Sequence, residues 1–278
     1  RVQSRRGSLV LPVRGTESVA PAQAFVAMHW GPEWLAGGGV NVLTTPARCP
    51  QSRQPELKHA AVRLDKAELP WRLLAAAWLP ADQAMAALAA LRAQYGAFGF
   101  ASAVPFGREP EATVGVLLRA AAAAPVADAV RAAIEQALGL DAVPVLRYAD
   151  PRGGRQRALR LAPDGTLHAL LLAGDAEPPP WLLQLLQQRG PAAGFGRALL
   201  AAGALPPQPL APRSPQVCNC FDVSEARIIA TAVQCQGGDE QRLQQLQQAL
   251  RCGTQCGSCL PALMTLLQQH PAPEAQAA

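Results

Sequence analysis

The chain has 278 residues, of which half are hydrophobic and 16% are charged, and its formal net charge is +5. This length allows two or three domains with substantial hydrophobic cores. Residues 1–70 hold nine Lys and Arg against five Asp and Glu, whereas residues 216–270 hold three against four. A basic front of this size fits a small anionic ligand, and it lacks the long basic stripe that nucleic-acid-binding proteins carry.

No apolar run reaches the length of a membrane span, and no signal peptide opens the chain. We therefore expect neither nucleic acid nor membrane among its partners. The chain does not begin with Met, and its opening run RVQSRRGSLVLPVRG is typical of the interior of a β-rich domain. We expect a fragment of a longer protein.

Residues 1–70 mix short strand-like runs with loops, which predicts an irregular β domain. Three motifs follow one another along it: His29 with Trp30, the run NVLTT that contains Asn41 and Thr44, and the run PQSRQPELK that ends at Lys58. Taken singly, these residues are ordinary core, turn or solvated side chains.

Residues 71–200 are predicted to form an α+β connector domain of unknown role. Strand-like and helix-like runs alternate over residues 71–150 in the order βαββαβ, which is typical of a ferredoxin-like fold. A hairpin with a Pro-Asp-Gly turn and the short helix WLLQLLQQR follow. Residues 201–216 are rich in Pro and Ala, which predicts an extended linker.

Six of the seven cysteines lie in the last 61 residues, and Cys49 stands alone. Cys218 and Cys220 form a Cys-x-Cys pair, which is separated by 35 residues from the Cys-x-x-Cys pair of Cys256 and Cys259. Four thiolates in two close pairs are a donor set for an iron–sulfur cluster or for zinc. Zinc sites more often use two Cys-x-x-Cys pairs, so the tighter Cys-x-Cys pair favours iron–sulfur.

The segment between these pairs predicts two helices, the first capped by Ser224. A third helix is predicted directly after Cys259, with Pro261 in its first turn. Its N-terminal amides would point at the metal site, where they favour anionic sulfur. Cys235 and Cys252 are interpreted as a helix-face thiol and a loop thiol rather than as ligands.

The CNC pair, the helical interior and the closing CGTQCGSC run resemble the bacterioferritin-associated-ferredoxin-type 2Fe–2S domain. The resemblance implies a small all-α domain over residues 217–270, with a disordered tail over residues 271–278. It also implies that the cluster ligands are Cys218, Cys220, Cys256 and Cys259.

The ordered motifs of residues 1–70 resemble the C-terminal barrel domain of bis-molybdopterin-guanine-dinucleotide oxidoreductases. Residues 1–70 would then be part of a β-barrel-type dinucleotide-binding domain in a multidomain α+β protein. Met28 stands where that family often has an aromatic residue. The resemblance implies that the cofactor-binding residues are His29, Trp30, Asn41, Thr44 and Lys58.

Both ends together resemble the catalytic subunits of bacterial assimilatory nitrate reductases. The resemblance implies reduction of nitrate to nitrite at molybdenum, with electrons relayed by the 2Fe–2S centre. We expect a cytoplasmic protein, because the cluster needs a reducing compartment and no export signal is seen. The resemblance further implies a 4Fe–4S cluster and the catalytic residues upstream of this chain, which alone would be inactive. The electron donor would be a flavoprotein subunit or a ferredoxin.

Two alternatives remain open at this point. The chain could be the tail of an assimilatory nitrite reductase large subunit, which carries the same type of cluster domain. It could also be a non-enzymatic iron–sulfur carrier or adaptor, in which case the first 70 residues would bind no dinucleotide.

Overall fold

A computed structural model describes residues 1–56, 59–107, 113–141, 144–150, 152, 154–174, 177–201, 203–210, 212 and 214–271. The chain divides into two compact units, Arg1–Leu210 and Ala211–Ala278. The boundary falls inside the Pro-rich segment that was predicted to be a linker.

The described residues of the first unit form two antiparallel sheets and three α-helices. Its strands are β1 (Val2–Gln3), β2 (Ser8–Leu9), β3 (Arg63–Leu64), β4 (Trp71–Pro80), β5 (Phe100–Phe106), β6 (Thr113–Ala122), β7 (Leu146–Asp150), β8 (Arg155–Leu161) and β9 (Leu167–Gly174). Its helices are α1 (Ala81–Ala93), α2 (Asp128–Ala137) and α3 (Pro180–Gln187), and 3₁₀ turns span Val40–Leu43, Tyr95–Ala97 and Ala193–Leu199.

The larger sheet has the strand order β5-β6-β4-β9-β8-β7 and is covered on both faces. Successive side chains of a strand point to opposite faces, so the apolar run of β4 serves two cores. Leu73 and Ala75 pack with α1 and α2, whereas Leu74 and Trp78 pack with α3. This double burial explains why β4 shows no alternation of apolar and polar residues.

The predicted order βαββαβ is found as β4-α1-β5-β6-α2-β7, and the mixed α/β class is confirmed. The predicted hairpin is also found, as β8 and β9, but it lies between β4 and β7 in the sheet. The burial of the strands accounts for this order. Most of β9 is buried and therefore suits a central position, whereas Leu146–Ala149 of β7 are exposed and suit an edge.

The first 70 residues contribute the small sheet β2-β1-β3 and a segment that docks on the larger sheet. The Ala36 amide donates to the Ala101 carbonyl at 2.9 Å, and the Ala103 amide donates to the Trp34 carbonyl at 3.2 Å. Between them Leu35 pairs with Ser102 of β5. The segment Trp34–Ala36 therefore covers the free edge of β5.

Part of the predicted linker packs on the first unit. The indole Nε1 of Trp181 donates to the Ala204 carbonyl at 2.8 Å, and Leu210 packs against the core around α3. Ala204 and Leu210 thus pack within the first unit rather than in an extended linker. The remaining domain boundaries drawn from the sequence stay predictions.

The second unit consists of β10 (Gln216–Cys218), β11 (Val223–Ser224), α4 (Glu225–Ala232), α5 (Asp239–Leu250) and α6 (Leu260–Gln269). The expectation of an all-α domain is wrong here, because β10 and β11 pair as a short antiparallel ribbon. Pro212 and Pro215 precede β10 and disfavour helix at that point. Asp222, at a φ of 51°, makes the reversal between the strands.

The predicted helices are otherwise found. The Ser224 hydroxyl caps α4 by accepting from the Arg227 amide at 3.4 Å, and α6 begins directly after Cys259 with Pro261 in its first turn. The three helices pack around Ile228, Leu246 and Leu263, which are fully buried. The predicted tail, from residue 272 onward, lies outside the described residues.

No helix in the described part of the chain is long and apolar enough to cross a membrane.

Candidate cofactor sites

The four thiols predicted to be ligands lie together at one end of the second unit. Cys218 ends β10 and Cys220 lies in the turn that follows it, while Cys256 lies in the α5–α6 loop and Cys259 caps α6. The Sγ atoms of Cys220 and Cys256 are 3.3 Å apart. Cys259 and Cys218 lie near enough for Cys218 to add to the effect of burial in raising the pKa of the Cys259 thiol. Each contacting pair thus joins one residue of the Cys-x-Cys motif to one of the Cys-x-x-Cys motif.

One pair is buried and the other reaches the surface. Cys218 and Cys259 are 2% and 5% exposed, whereas Cys256 is exposed and Cys220 half-buried. Within the described residues, no three His, Cys, Asp or Glu side chains are grouped around one point as they would be around a single metal ion. The observed arrangement is two thiol pairs, and four thiolates are the donor set that a 2Fe–2S cluster takes.

The surroundings of the thiols shift their pKa values in opposite directions. The Ser258 hydroxyl is the main cause that lowers the pKa of the Cys256 thiol to about 7, followed by the Ser258 amide. Cys220 donates its proton to Cys256, which raises the pKa of Cys220. Burial, followed by the contact with Cys218, raises the pKa of Cys259.

The α5–α6 loop wraps tightly because three of its residues adopt positive φ. Arg251, Gly253 and Gly257 have φ values of 58°, 80° and 72°. The φ of Gly253 is one that other residues rarely adopt, and a Cβ there would also lie 2.7 Å from a methyl group of Leu260, so this position favours glycine. The loop ends at the N-terminus of α6, whose dipole favours the negative charge of thiolates.

The structure also places the two cysteines that were not predicted to be ligands. Cys252 is fully buried, and its pKa is raised to about 11 by burial first and then by Cys259 and Cys218. Cys235 is buried, and its thiol donates to the Thr231 carbonyl at 3.3 Å. Cys252 therefore lies near the four candidate ligands, as predicted for a loop thiol. Cys235 instead hydrogen-bonds to a backbone carbonyl near the C-terminal end of α4.

Two of the motifs in residues 1–70 are brought together by backbone hydrogen bonds. The Val40 amide donates to the Trp30 carbonyl at 2.8 Å, which joins the His29–Trp30 loop to the 3₁₀ turn that carries Asn41. The Thr44 hydroxyl donates to the Asn41 carbonyl at 3.0 Å and closes this turn. Lys58 lies outside the described residues.

Glycine allows the close approach of these two loops. Gly39 has a φ of 77°, and a Cβ there would lie 2.8 Å from the Trp30 carbonyl oxygen. His29, Trp30 and Asn41 have exposed side chains, with Trp30 at 38%. An imidazole, an indole and an amide are thus exposed on two loops that a backbone hydrogen bond joins, and these groups can stack on and hydrogen-bond with a heterocycle.

Two side chains of the second unit were not singled out from the sequence. Ser258 contacts Cys256, and the spacing Cys-Gly-Ser-Cys places its hydroxyl between two predicted ligands, which was a usable signal. Arg242 is 2% exposed and binds carbonyls on two other helices. Its position in a Gln-rich helix gave no sign of this role.

Comparison with known protein families assigns a class to each end of the chain. Residues 1–61 match the family described as Molydopterin dinucleotide binding domain. Residues 216–269 match the family described as BFD-like [2Fe-2S] binding domain. The matches confirm the two predicted cofactor classes, a molybdopterin dinucleotide and a 2Fe–2S cluster.

Two individual proteins that resemble this chain are both nitrate reductases. The chain is 48% identical over 62 residues to a nitrate reductase of Synechocystis sp., which covers 22% of the chain and 9% of that protein. It is 26% identical over 313 aligned positions to a nitrate reductase of Klebsiella oxytoca, which covers 96% of the chain and 28% of that protein. The chain thus spans well under two thirds of either relative. No solved structure matches it significantly.

Proposed function

We propose that this chain is part of a molybdenum-dependent nitrate reductase, in which the second unit relays electrons toward the molybdenum cofactor. The observation that carries the proposal is the presence, in one chain, of a dinucleotide-binding match at residues 1–61 and a 2Fe–2S-binding match at residues 216–269. The similarity to two nitrate reductases supports the choice of substrate.

We assign Cys218, Cys220, Cys256 and Cys259 as the cluster ligands. Their two contacting pairs, the positive end of α6 and the tight loop before it support this assignment. When bound, the cluster supplies one-electron transfer. The protein's own part is to hold the four thiolates, to bury one pair and to expose the other, so that a redox partner can approach the cluster.

We assign His29, Trp30, Asn41, Thr44 and Lys58 to the binding of molybdopterin guanine dinucleotide. The exposure of the first three residues on two joined loops and the closed turn at Thr44 support the assignment. Phe25 and Met28 are also exposed, at 80% and 41%. Exposed apolar side chains so close to a candidate site favour a surface that a cofactor or another part of the enzyme covers.

The overall reaction converts nitrate, two electrons and two protons into nitrite and water. The molybdenum cofactor supplies oxygen-atom transfer when bound, and a 4Fe–4S cluster belongs to the longer protein in this proposal. We propose a cytoplasmic enzyme whose electron donor is a flavoprotein subunit or a ferredoxin. This chain contributes cofactor-binding side chains rather than residues that act on nitrate.

The finer features of the fold belong to the same proposal. The sheet β2-β1-β3 and its loops would be part of a barrel-type dinucleotide-binding domain. The elements from β4 to β7 would be a ferredoxin-like fold that is widened by insertion of the β8–β9 hairpin. The antiparallel neighbours β5-β6-β4 support this description.

The test is Cys256→Ser in the complete enzyme. The substitution removes an exposed ligand, so we expect loss of the 2Fe–2S signal in electron paramagnetic resonance and loss of nitrate reduction with the physiological donor. A small diffusible reductant such as reduced methyl viologen can reach other centres directly, so nitrate reduction with it should persist.

Cys235→Ser is the matched control, because this thiol donates to a carbonyl of its own helix region. It should retain both activities. Zinc without sulfide in the parent enzyme would contradict the relay. So would full activity with the physiological donor in Cys256→Ser. The dinucleotide match speaks against the alternative of an iron–sulfur carrier.

A further inference from the structure

Ser258 places a hydrogen-bond donor on an exposed thiol of the ligand set. Its hydroxyl oxygen lies 3.1 Å from Cys256 Sγ. A metal-bound thiolate carries no proton, so in the loaded protein Ser258 must be the donor and Cys256 the acceptor. Hydrogen bonds to an ionised acceptor are about twice as strong as neutral ones.

The neighbouring hydroxyl groups behave differently. Thr254, in the same loop, donates to the Arg251 carbonyl at 2.7 Å, and Thr265, in α6, donates to the Pro261 carbonyl at 3.0 Å. These two bonds stabilise a turn and a helix. The Ser258 hydroxyl instead points at sulfur, so its partner is the candidate metal centre rather than the backbone.

We propose that Ser258 tunes the 2Fe–2S centre by raising its reduction potential through the hydrogen bond from its hydroxyl to the Cys256 thiolate. The proposal rests on the cluster assignment above. Reduction adds one negative charge to the cluster and its thiolates, so a donor on sulfur stabilises the reduced state more than the oxidised state. Removing the donor makes reduction less favourable.

The exposure of Cys256 limits the size of this effect. Water can hydrogen-bond to an exposed sulfur and replace part of what the hydroxyl provides. The Ser258 hydroxyl is covalently held two residues from the ligand, so it donates without the cost of ordering a water molecule. The shift of the midpoint potential on removal of the hydroxyl is therefore smaller than it would be for a buried ligand. Its direction, toward a more negative potential, is the same.

The experiment is a redox titration of the loaded full chain, followed by electron paramagnetic resonance of the reduced centre. Ser258→Ala is expected to move the midpoint potential to a more negative value at unchanged iron and sulfide content. Ser258→Thr retains the hydroxyl and should stay close to the parent. Thr254→Val is the matched control, since it removes a hydroxyl of the same loop that serves a carbonyl, and it should leave the potential unchanged.

An unchanged midpoint potential in a fully loaded Ser258→Ala protein would overturn the proposal, and so would a shift of equal size in Thr254→Val. If Ser258→Ala loads poorly, the parent protein still provides a test. Among the exchangeable-proton hyperfine couplings of its reduced centre, the one from the hydroxyl should be lost in heavy water and missing from whatever cluster the variant retains, whereas couplings from backbone amides should remain in the variant. The same coupling in the variant would exclude the hydroxyl as its source. Zinc without sulfide in the parent would instead refute the cluster assignment itself.

Discussion

His168 is a half-buried side chain at the start of β9, close to two arginines. Burial, followed by the charges of Arg160 and Arg189, lowers its pKa below the ordinary value of 6.5, and Asp164 opposes the shift. The strand register also shifts at this point of the β8–β9 pair. The folded chain therefore resists the protonation that the unfolded chain accepts.

The lowered pKa predicts an acid-sensitive first unit. As the pH falls below 6.5, His168 takes up a proton in the unfolded state before it does so in the folded state, so the free energy of unfolding decreases. We expect the free energy of unfolding of His168→Gln to depend less on pH than that of the parent, between pH 6.5 and the pKa of His168 in the folded chain. Urea unfolding of parent and variant over that pH range measures this free energy. Equal pH slopes in parent and variant would contradict the assignment.

The candidate ligands could be picked out from the sequence, whereas the residues that contact them could not. Two close cysteine pairs predict a metal site by their spacing, and the structure places the four thiols at one end of the second unit as two pairs. The contact of Ser258 with Cys256 depends on loop dihedrals. The bonds of Arg242 span residues 232 to 270 of the chain, and spacing carries no information on contacts of that kind.

Arg242 connects the three helices of the second unit. From α5 its guanidinium donates to the carbonyls of Leu267 at 2.9 Å, of Ala232 at 3.0 Å, and of His270. These carbonyls lie at the C-terminal ends of α4 and α6, where the last turns lack intrahelical partners. A buried positive charge also complements the negative ends of both helix dipoles.

Replacing Arg242 should destabilise the second unit strongly. Arg242→Met leaves buried carbonyls unsatisfied, at a cost of about 1–3 kcal/mol for each, while Arg242→Lys retains the charge but cannot reach all three acceptors. We expect the stability order parent, Lys variant, Met variant in chemical unfolding of the loaded chain. Arg227→Met, at an exposed position of α4, is the control and should change little. A Met variant as stable as the control would refute the role of Arg242.

At the scale of elements, the sequence predicted whether a segment is a strand or a helix better than it predicted which strands are neighbours in the sheet. The strands and helices from β4 to β9 were found where apolar runs and turn residues indicated them. The placement of the β8–β9 hairpin beside β4 was missed, because the apolar content of a strand shows that it is buried but not which strand buries it. The ribbon of β10 and β11 was missed because strands of two or three residues have no periodicity.

At the scale of the whole molecule, the two units have separate cores. The 2Fe–2S-binding match at residues 216–269 lies entirely within Ala211–Ala278, and its core residues come from β10, β11, α4, α5, α6 and the cysteines between these elements. A unit that buries its own apolar residues is a candidate for independent folding.

We therefore predict that residues 211–278, expressed alone under anaerobic conditions, fold and bind about two irons and two sulfides per chain, the content of a 2Fe–2S cluster. Iron and sulfide analysis with circular dichroism checks this. The same segment with Cys259→Ser should lose the cluster, whereas Cys235→Ser should retain it. A segment that remains unfolded after cluster reconstitution would show that the second unit depends on the first.

The Pro-rich run of residues 201–216 predicted a break in the chain, and the boundary between the two compact units falls inside it. The described residues from 1 to 210 form one compact unit, and the domain boundary drawn at residue 70 from the sequence stays a prediction. The docking contacts of Trp34–Ala36 on β5 are backbone hydrogen bonds, which leave no pattern in the sequence.

That docking has a consequence for solubility. An uncovered edge strand offers a row of free amides and carbonyls to any other strand, and β5 is a seven-residue strand whose central residues are buried. Trp34–Ala36 pair with Ala101–Ala103 of β5, so they block the pairing of this part of the edge with another strand. A connector domain that begins at residue 70 would lack Trp34–Ala36 and expose this edge, so we expect it to aggregate more readily than one that begins upstream of Trp34.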